Sequence, residues 1–316
     1  LQPNGSTNMF DGLGLGETHV ARAPNTHAVR RVVVISDGIA NVGPSSPEAL
    51  GALAERGIRF HAQVTSLGVG NDYDERTLNA LATRSTGRLY HLSDPKEMAG
   101  LVQHELELLR STVATDAFVE VVPAPGVDLV GVEGIRSERG ADGAFKLPLG
   151  ALFSGQHREA VLRVRLHDTT AATSRALASV RLHFRDPDDG DVPRIQEVVA
   201  RAGFSSDVGS VAKAENAKAK SIIAVIDASN LELSASQSAG QGQFAAADKQ
   251  LETAQLALET RAKRTTDESE RTRLSAVARK VASARAQVQA APSAPAAAQR
   301  NMTLELNAAG MHDQGF

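Results

Sequence analysis

The 316-residue sequence predicts an α/β segment built on a parallel sheet, followed by an antiparallel β-sandwich and then an α-helical bundle. Three observations carry that prediction. Short apolar runs alternate with helix-like stretches over residues 1–112, and apolar and polar residues alternate one by one over 113–192. An Ala-, Gln- and Lys-rich stretch over 193–290 repeats its apolar residues at helical spacing. Residues 291–316 are rich in Ala and Pro and then polar, and they read as a flexible tail.

In the first region, Val32-Val-Val-Ile35 is an unbroken β-branched run, the mark of a strand covered on both faces. It ends in Ser36-Asp37-Gly38, which puts Asp37 at the carboxyl end of the strand, the edge where open α/β sheets bind ligands. The alternative is that Asp37 only caps the turn at Gly38. Ser46-Pro-Glu48 then starts a helix, with Ser46 as N-cap and Pro47 in the first turn, and Gly57 ends it. A second buried strand over 60–69, a helix over 74–85, a third strand over 88–92 and a helix over 94–110 complete the pattern.

In the second region, Leu162, Val164 and Leu166 alternate with Arg163, Arg165 and His167. Val180, Leu182 and Phe184 likewise alternate with Arg181, His183 and Arg185. One dry face and one wet face define antiparallel strands. If these two strands are neighbours, the basic row is a docking face for acidic surface; the alternative is a solvated face answered by Asp116 and Glu120. In the third region, Ile222, Ile226 and Leu233 precede a break at Gly240-Gln-Gly242. Two further stripes follow, Phe244 to Leu258 and Leu274 to Val288, so three helices pack as an antiparallel bundle.

Composition removes several classes of function. With no Cys there is no disulfide, thiolate metal site or thiol nucleophile. A net charge of -3 leaves no basic footprint for nucleic acid. No run approaches the roughly 20 apolar residues of a membrane span. The nine His residues include no pair four apart, and the chain has neither a phosphate loop nor a Gly-x-Ser-x-Gly elbow, so a hydrolase or other enzyme is not expected. Asp72, Asp74 and the Asp186–Asp191 stretch lack the spacing of a calcium loop and read as acidic turns.

Several features agree in order along residues 1–110. Asn4-Gly-Ser-Thr-Asn8 leads into a helix through Phe10 and Leu13, and Ser36-Asp37-Gly38 ends a strand. Asn41-Val-Gly43, Gly68-Val-Gly70, Asp72-Tyr-Asp74, Gly87-Arg-Leu-Tyr90 and Asp94-Pro95 follow. Together they resemble the von Willebrand factor A-type domain in its bacterial branch, a Rossmann-like fold of which residues 1–112 would be the C-terminal half.

The resemblance implies a metal ion-dependent adhesion site. In it Thr7 would be the hydroxyl ligand and Asp37 the acidic residue at the metal, directly or through water. The ion is expected to be magnesium, with manganese or calcium as substitutes, and a partner protein would supply one more carboxylate. The Asp-x-Ser-x-Ser element that provides the remaining ligands in the family is absent here. No metal is therefore expected to bind this chain alone.

The same comparison implies that the strand at 32–35 presents an unpaired apolar edge. Either the chain is a fragment, or a separate strand donor completes the sheet. The function so implied is metal-dependent protein–protein interaction, in adhesion or scaffolding. The alternative is a structural assembly subunit that works without metal. The family resemblance favours the cell envelope or periplasm slightly over the cytoplasm.

Overall fold

The computed structural model describes residues 5–24, 27–168, 170 and 172–313. Helix α1 (Met9–Ala21) leads into strand β1 (Arg30–Ser36), followed by α2 (Pro47–Gly57), β2 (Ala62–Val69), α3 (Glu75–Arg84), β3 (Arg88–Leu92) and α4 (Met98–Arg110). The three strands are parallel, in the order β1-β2-β3. β2 is buried along its whole length, as a central strand with helices on both faces must be. Capping follows the sequence signals: Ser46 accepts the Ala49 N–H at 3.2 Å with Pro47 in the first turn, and Asp74 accepts from Arg76 at 3.1 Å. Gly87 is demanded by packing, because a Cβ there would lie 2.0 Å from the Val64 carbonyl oxygen.

Strands β4 (Thr112–Pro123), β5 (Val127–Glu133), β6 (Glu138–Arg139), β7 (Phe145–Phe153), β8 (Val161–Leu166), β9 (Ala172–Asp186) and β10 (Val192–Phe204) come next. They form a five-stranded sheet of order β10-β9-β4-β7-β6 and a two-stranded sheet β5-β8. Val121, Leu129, Phe145, Leu147 and Ala178, with Leu162 and Val180 against them, fill the space between the two. The alternation in the sequence is thus the alternation of a sandwich.

After a short helix α5 (Val208–Lys213), α6 (Ala217–Gly240), α7 (Phe244–Arg264) and α8 (Glu268–Ala290) run as successive hairpins. Leu251, Leu258, Leu274, Val281 and Val288 are fully buried among them, as the stripes predict.

Two expectations are corrected. The described part of the expected flexible tail over 291–316 is ordered instead: Ala296–Asp313 is helix α9, and it serves two cores at once. Met302 and Leu306 join the bundle, while Leu304 and Met311 join the core of the parallel-sheet region. Apolar residues divided between two faces make no single stripe, so the helix is hard to read in sequence. The helical region also does not begin at 193, because β10 runs to Phe204 as the antiparallel partner of β9. Its side chains are exposed over most of its length, so it lacks the alternation that marks a strand with one buried face.

Candidate recognition site

Ser36 of β1 lies opposite Gly68 of β2, so the two strands end at one edge and their following loops rise side by side. The segment before α1 is brought to the first of these loops by backbone bonds. The Thr7 N–H donates to Asn41 Oδ1 at 2.7 Å, and the N–H groups of Asn41 and Val42 donate to the Thr7 carbonyl at 3.0 and 3.2 Å. Next to Thr7, Asn8 caps α1 by accepting the Asp11 N–H at 3.1 Å. Gly43, at φ +73°, passes so close that a Cβ would sit 3.1 Å from Asn8 Oδ1.

Thr7 and Asp37 thus stand on two loops locked together, and both are exposed. Ser36 Oγ donates to the Gly38 carbonyl at 2.9 Å and holds the turn. The Asp37 carboxylate accepts no hydrogen bond from the described residues, so the turn does not depend on it. Asn4 lies outside the described residues. Asn41 and Asn8, which form the clamp, carry no role in the sequence reading. They enter it as members of the Asn4–Asn8 and Asn41-Val-Gly43 motifs, with no contact assigned to either.

The second loop, after β2, is held by α9. Arg300 donates to Glu75 at 2.6 Å and to the carbonyls of Tyr73 and Asn71 at 2.9 and 3.2 Å. His91 of β3 lies between Tyr73 OH at 3.0 Å and Asn301 Oδ1 at 3.1 Å. Asn301 Nδ2 donates to Glu305 at 2.7 Å, which fixes its amide so that Oδ1 faces His91. Neutral His91 therefore carries its proton on Nε2 and accepts the Tyr73 hydroxyl at Nδ1. Burial lowers the His91 pKa, and Arg300 adds to this against the opposing pull of Asn301 and Glu305.

Beneath the loops, Arg31 ties β1 to α4. Its guanidinium donates to Glu105 at 2.8 Å, to Thr65 at 3.1 Å and to Gln63 at 2.8 Å, and Tyr90 OH donates to Glu105 at 2.7 Å. Burial works to raise the Glu105 pKa, but Arg31 and the hydroxyls of Tyr90 and Thr65 outweigh it and hold the carboxyl below its ordinary value. The Tyr90 hydroxyl is pushed up to about 12 by burial and by its bond to Glu105.

The basic row on the sandwich is divided. β8 pairs with β5 while β9 lies between β4 and β10, so the two arginine strands are not neighbours. Arg163 meets Glu133 at 2.6 Å, Arg181 meets Glu120 at 3.2 Å, and Arg185 approaches Asp116 at 3.6 Å. Asp116 and Glu120 do answer the row. Asp186 and Asp191 work within the sandwich: Asp186 caps a short turn and Asp191 accepts from Arg185 at 3.2 Å. A cavity of about 320 Å³ opens between the sandwich and the amino ends of β1 and β2, lined by Val29, His61, Phe118 and Lys146. It lies at the opposite end of β1 from Asp37. Among the described residues no three His, Asp or Glu side chains are grouped to hold a metal ion, and no helix is long and apolar enough to cross a membrane.

A parallel sheet between helices, with polar loops gathered at its carboxyl edge, defines the first third of the chain as an open α/β domain of the ligand-binding kind. Residues 1–104 match the von Willebrand factor type A domain. The chain is 26% identical over 127 residues to the uncharacterized protein YfbK of Escherichia coli K12; the match covers 39% of this chain and 22% of that protein's length.

Among solved structures, the von Willebrand factor type A protein from Catenulispora acidiphila shares the fold at a TM-score of 0.70 and 14% identity, over 98% of this chain and 71% of that one. The ArnB paralog VWA2 from Sulfolobus acidocaldarius is similar at 0.51 and 12% identity, over 90% of this chain and 64% of its own.

Proposed function

We propose that this chain is the recognition scaffold of a protein-binding assembly, in which the Thr7 and Asp37 loops supply two oxygen ligands to a divalent-cation site. The observation that carries this reading is the clamp between the loops. Two backbone hydrogen bonds and one from the Thr7 N–H to the Asn41 side chain hold the Thr7 segment to Asn41 and Val42, while the Thr7 and Asp37 side chains stay exposed at the strand ends. A hydroxyl and a carboxylate suit a hard cation such as magnesium in kind. In number they fall short of its octahedron, so these two residues do not make a site by themselves.

The remaining donors would come from a strand pairing beside β1, and the last ligand from an acidic residue of the bound protein. Binding is the activity; no step of turnover is assigned. The open edge of β1, which pairs only with β2 among the described residues, supports such a strand donor.

A second reading, an assembly subunit that works without metal, draws on α9. Leu304 and Met311 of that helix lock the bundle into the core of the A-type segment. Calorimetric titration of magnesium chloride separates the two. This chain alone should give no heat of binding, whereas a longer polypeptide that places an Asp-x-Ser-x-Ser strand beside β1 should bind, and Asp37→Ala should abolish that binding. Magnesium binding in the longer polypeptide that is indifferent to Asp37→Ala would refute the assignment.

A further inference from the structure

The five-stranded sheet ends in a long strand that nothing covers among the described residues. β10 spans Val192–Phe204 and pairs only with β9, so its outer row of N–H and C=O groups is unpaired among the described residues. It is exposed on both faces: Ile195 is 63% and Val198 67% accessible, and Val192 and Val199 are also exposed. A regular edge of this length with apolar side chains is a template for another strand.

We propose that β10 pairs antiparallel with β10 of a second copy of this chain, with Val199 on the twofold axis. The register follows from geometry and charge. In a symmetric antiparallel pair the axis is perpendicular to the sheet, so directly opposed residues lie on the same face and their numbers share parity. β10 stays regular through both of its shifts against β9, because in each the extra residue lies on β9. Glu197, Val199 and Arg201 therefore share one face.

Placing the axis at Val199 sets Glu197 of each copy opposite Arg201 of the other, twice over. On the other face, Val198 meets Ala200. Centring on Glu197 or on Arg201 opposes like charges, and centring on Val198 sets Glu197 against Val199 and Arg201 against Ile195. Arg194 and Glu197 differ in parity and cannot be opposed in any symmetric register.

The two charged groups are available for this. Within the chain, Ser179 Oγ and Arg181 Nε both donate to Oε1 of Glu197, and Oε2 takes no bond among the described residues. Arg201 makes no hydrogen bond or ion pair with the described residues. The pairing would run over residues 194–204 of each copy, about 36 Å of strand, and would join two five-stranded sheets into one of ten.

Sedimentation velocity of the full chain over a wide concentration range tests this. A reversible species of twice 33.2 kDa is expected. Arg201→Glu should weaken association by about a hundredfold by setting like charges opposite each other, while circular dichroism stays unchanged because no bond within the chain is lost. Because the chain has no Cys, Val199→Cys should oxidise to a covalent dimer, whereas Val198→Cys, which faces Ala200, should not. A monomer at every concentration, a dimer indifferent to Arg201→Glu, or cross-linking through Val198→Cys in place of Val199→Cys would each overturn the proposal.

Discussion

Two of the sheet edges left unpaired among the described residues, β1 and β10, are chemically different. β1 has seven residues, runs parallel to its one neighbour, and is apolar from Val32 to Ile35 with no interrupting charge. β10 has thirteen residues, runs antiparallel, and carries Pro193, Arg194, Glu197 and Arg201 among its apolar side chains. Strands that finish a sheet are blunted by charges and proline, whereas strands inside one are not. By that measure β10 is built to be an edge that pairs selectively, and β1 is built as an interior strand. One face of β1 already has its cover, since Val32 and Val34 pack into the α/β core, while Val33 and Ile35 are exposed.

The first way to break the contrast is to loosen what holds β1 on its open side. Glu105→Ala leaves Arg31, almost fully buried, without its carboxylate. Removing one member of a buried pair costs about 3–5 kcal/mol, and urea unfolding should show a loss of that order. Glu105→Ala combined with Arg31→Met should recover much of it, because no buried charge is then stranded.

A sharper version compares residues paired across the sheet. Ile35 lies opposite Leu67, which is 1% exposed against 49% for Ile35. Leu67→Ala should cost about 2–5 kcal/mol. Ile35→Ala, on the open strand, should cost less than about 1 kcal/mol as long as no further strand covers it. Equal losses in denaturant unfolding would mean that β1 is covered in solution.

How well the sequence could be read follows the same division. Where a face meets a core the pattern was legible in the stripes of α7 and α8 and in Leu162 and Val180 of β8 and β9, whereas the run of β1, read as covered on both faces, is covered on one, with Val33 and Ile35 exposed. Wherever a segment meets two cores or none, it was not. α9 splits Met302 and Leu306 from Leu304 and Met311 between two cores, and β10 buries almost nothing.

The candidate site was half legible. Thr7 and Asp37 could be placed by resemblance to a family pattern, and the structure puts both on exposed, adjoining loops. The clamp that joins them uses the Asn41 side chain and backbone carbonyls, and a backbone bond over 34 positions leaves no trace in local composition.

The smallest expected effect concerns the other edge of the parallel sheet, β3, which α9 closes. His91 sits there as the neutral acceptor of the Tyr73 hydroxyl and donor to Asn301, facing Glu305 and Arg300 from α9 and Glu97 from the turn before α4. Burial holds its pKa below the ordinary 6.5, so the unfolded chain takes up the proton first as pH falls. The stability linked to His91 is therefore complete above about pH 6.5 and is lost as pH drops below it. Hydrogen exchange in α9 should rise over that interval, and His91→Gln, which cannot titrate, should flatten the rise while leaving exchange in β10 unchanged. If acid instead loosened α9 equally in the His91→Gln variant, the closure of this edge would rest on Arg300 and its bonds to Glu75, Tyr73 and Asn71, with His91 a bystander.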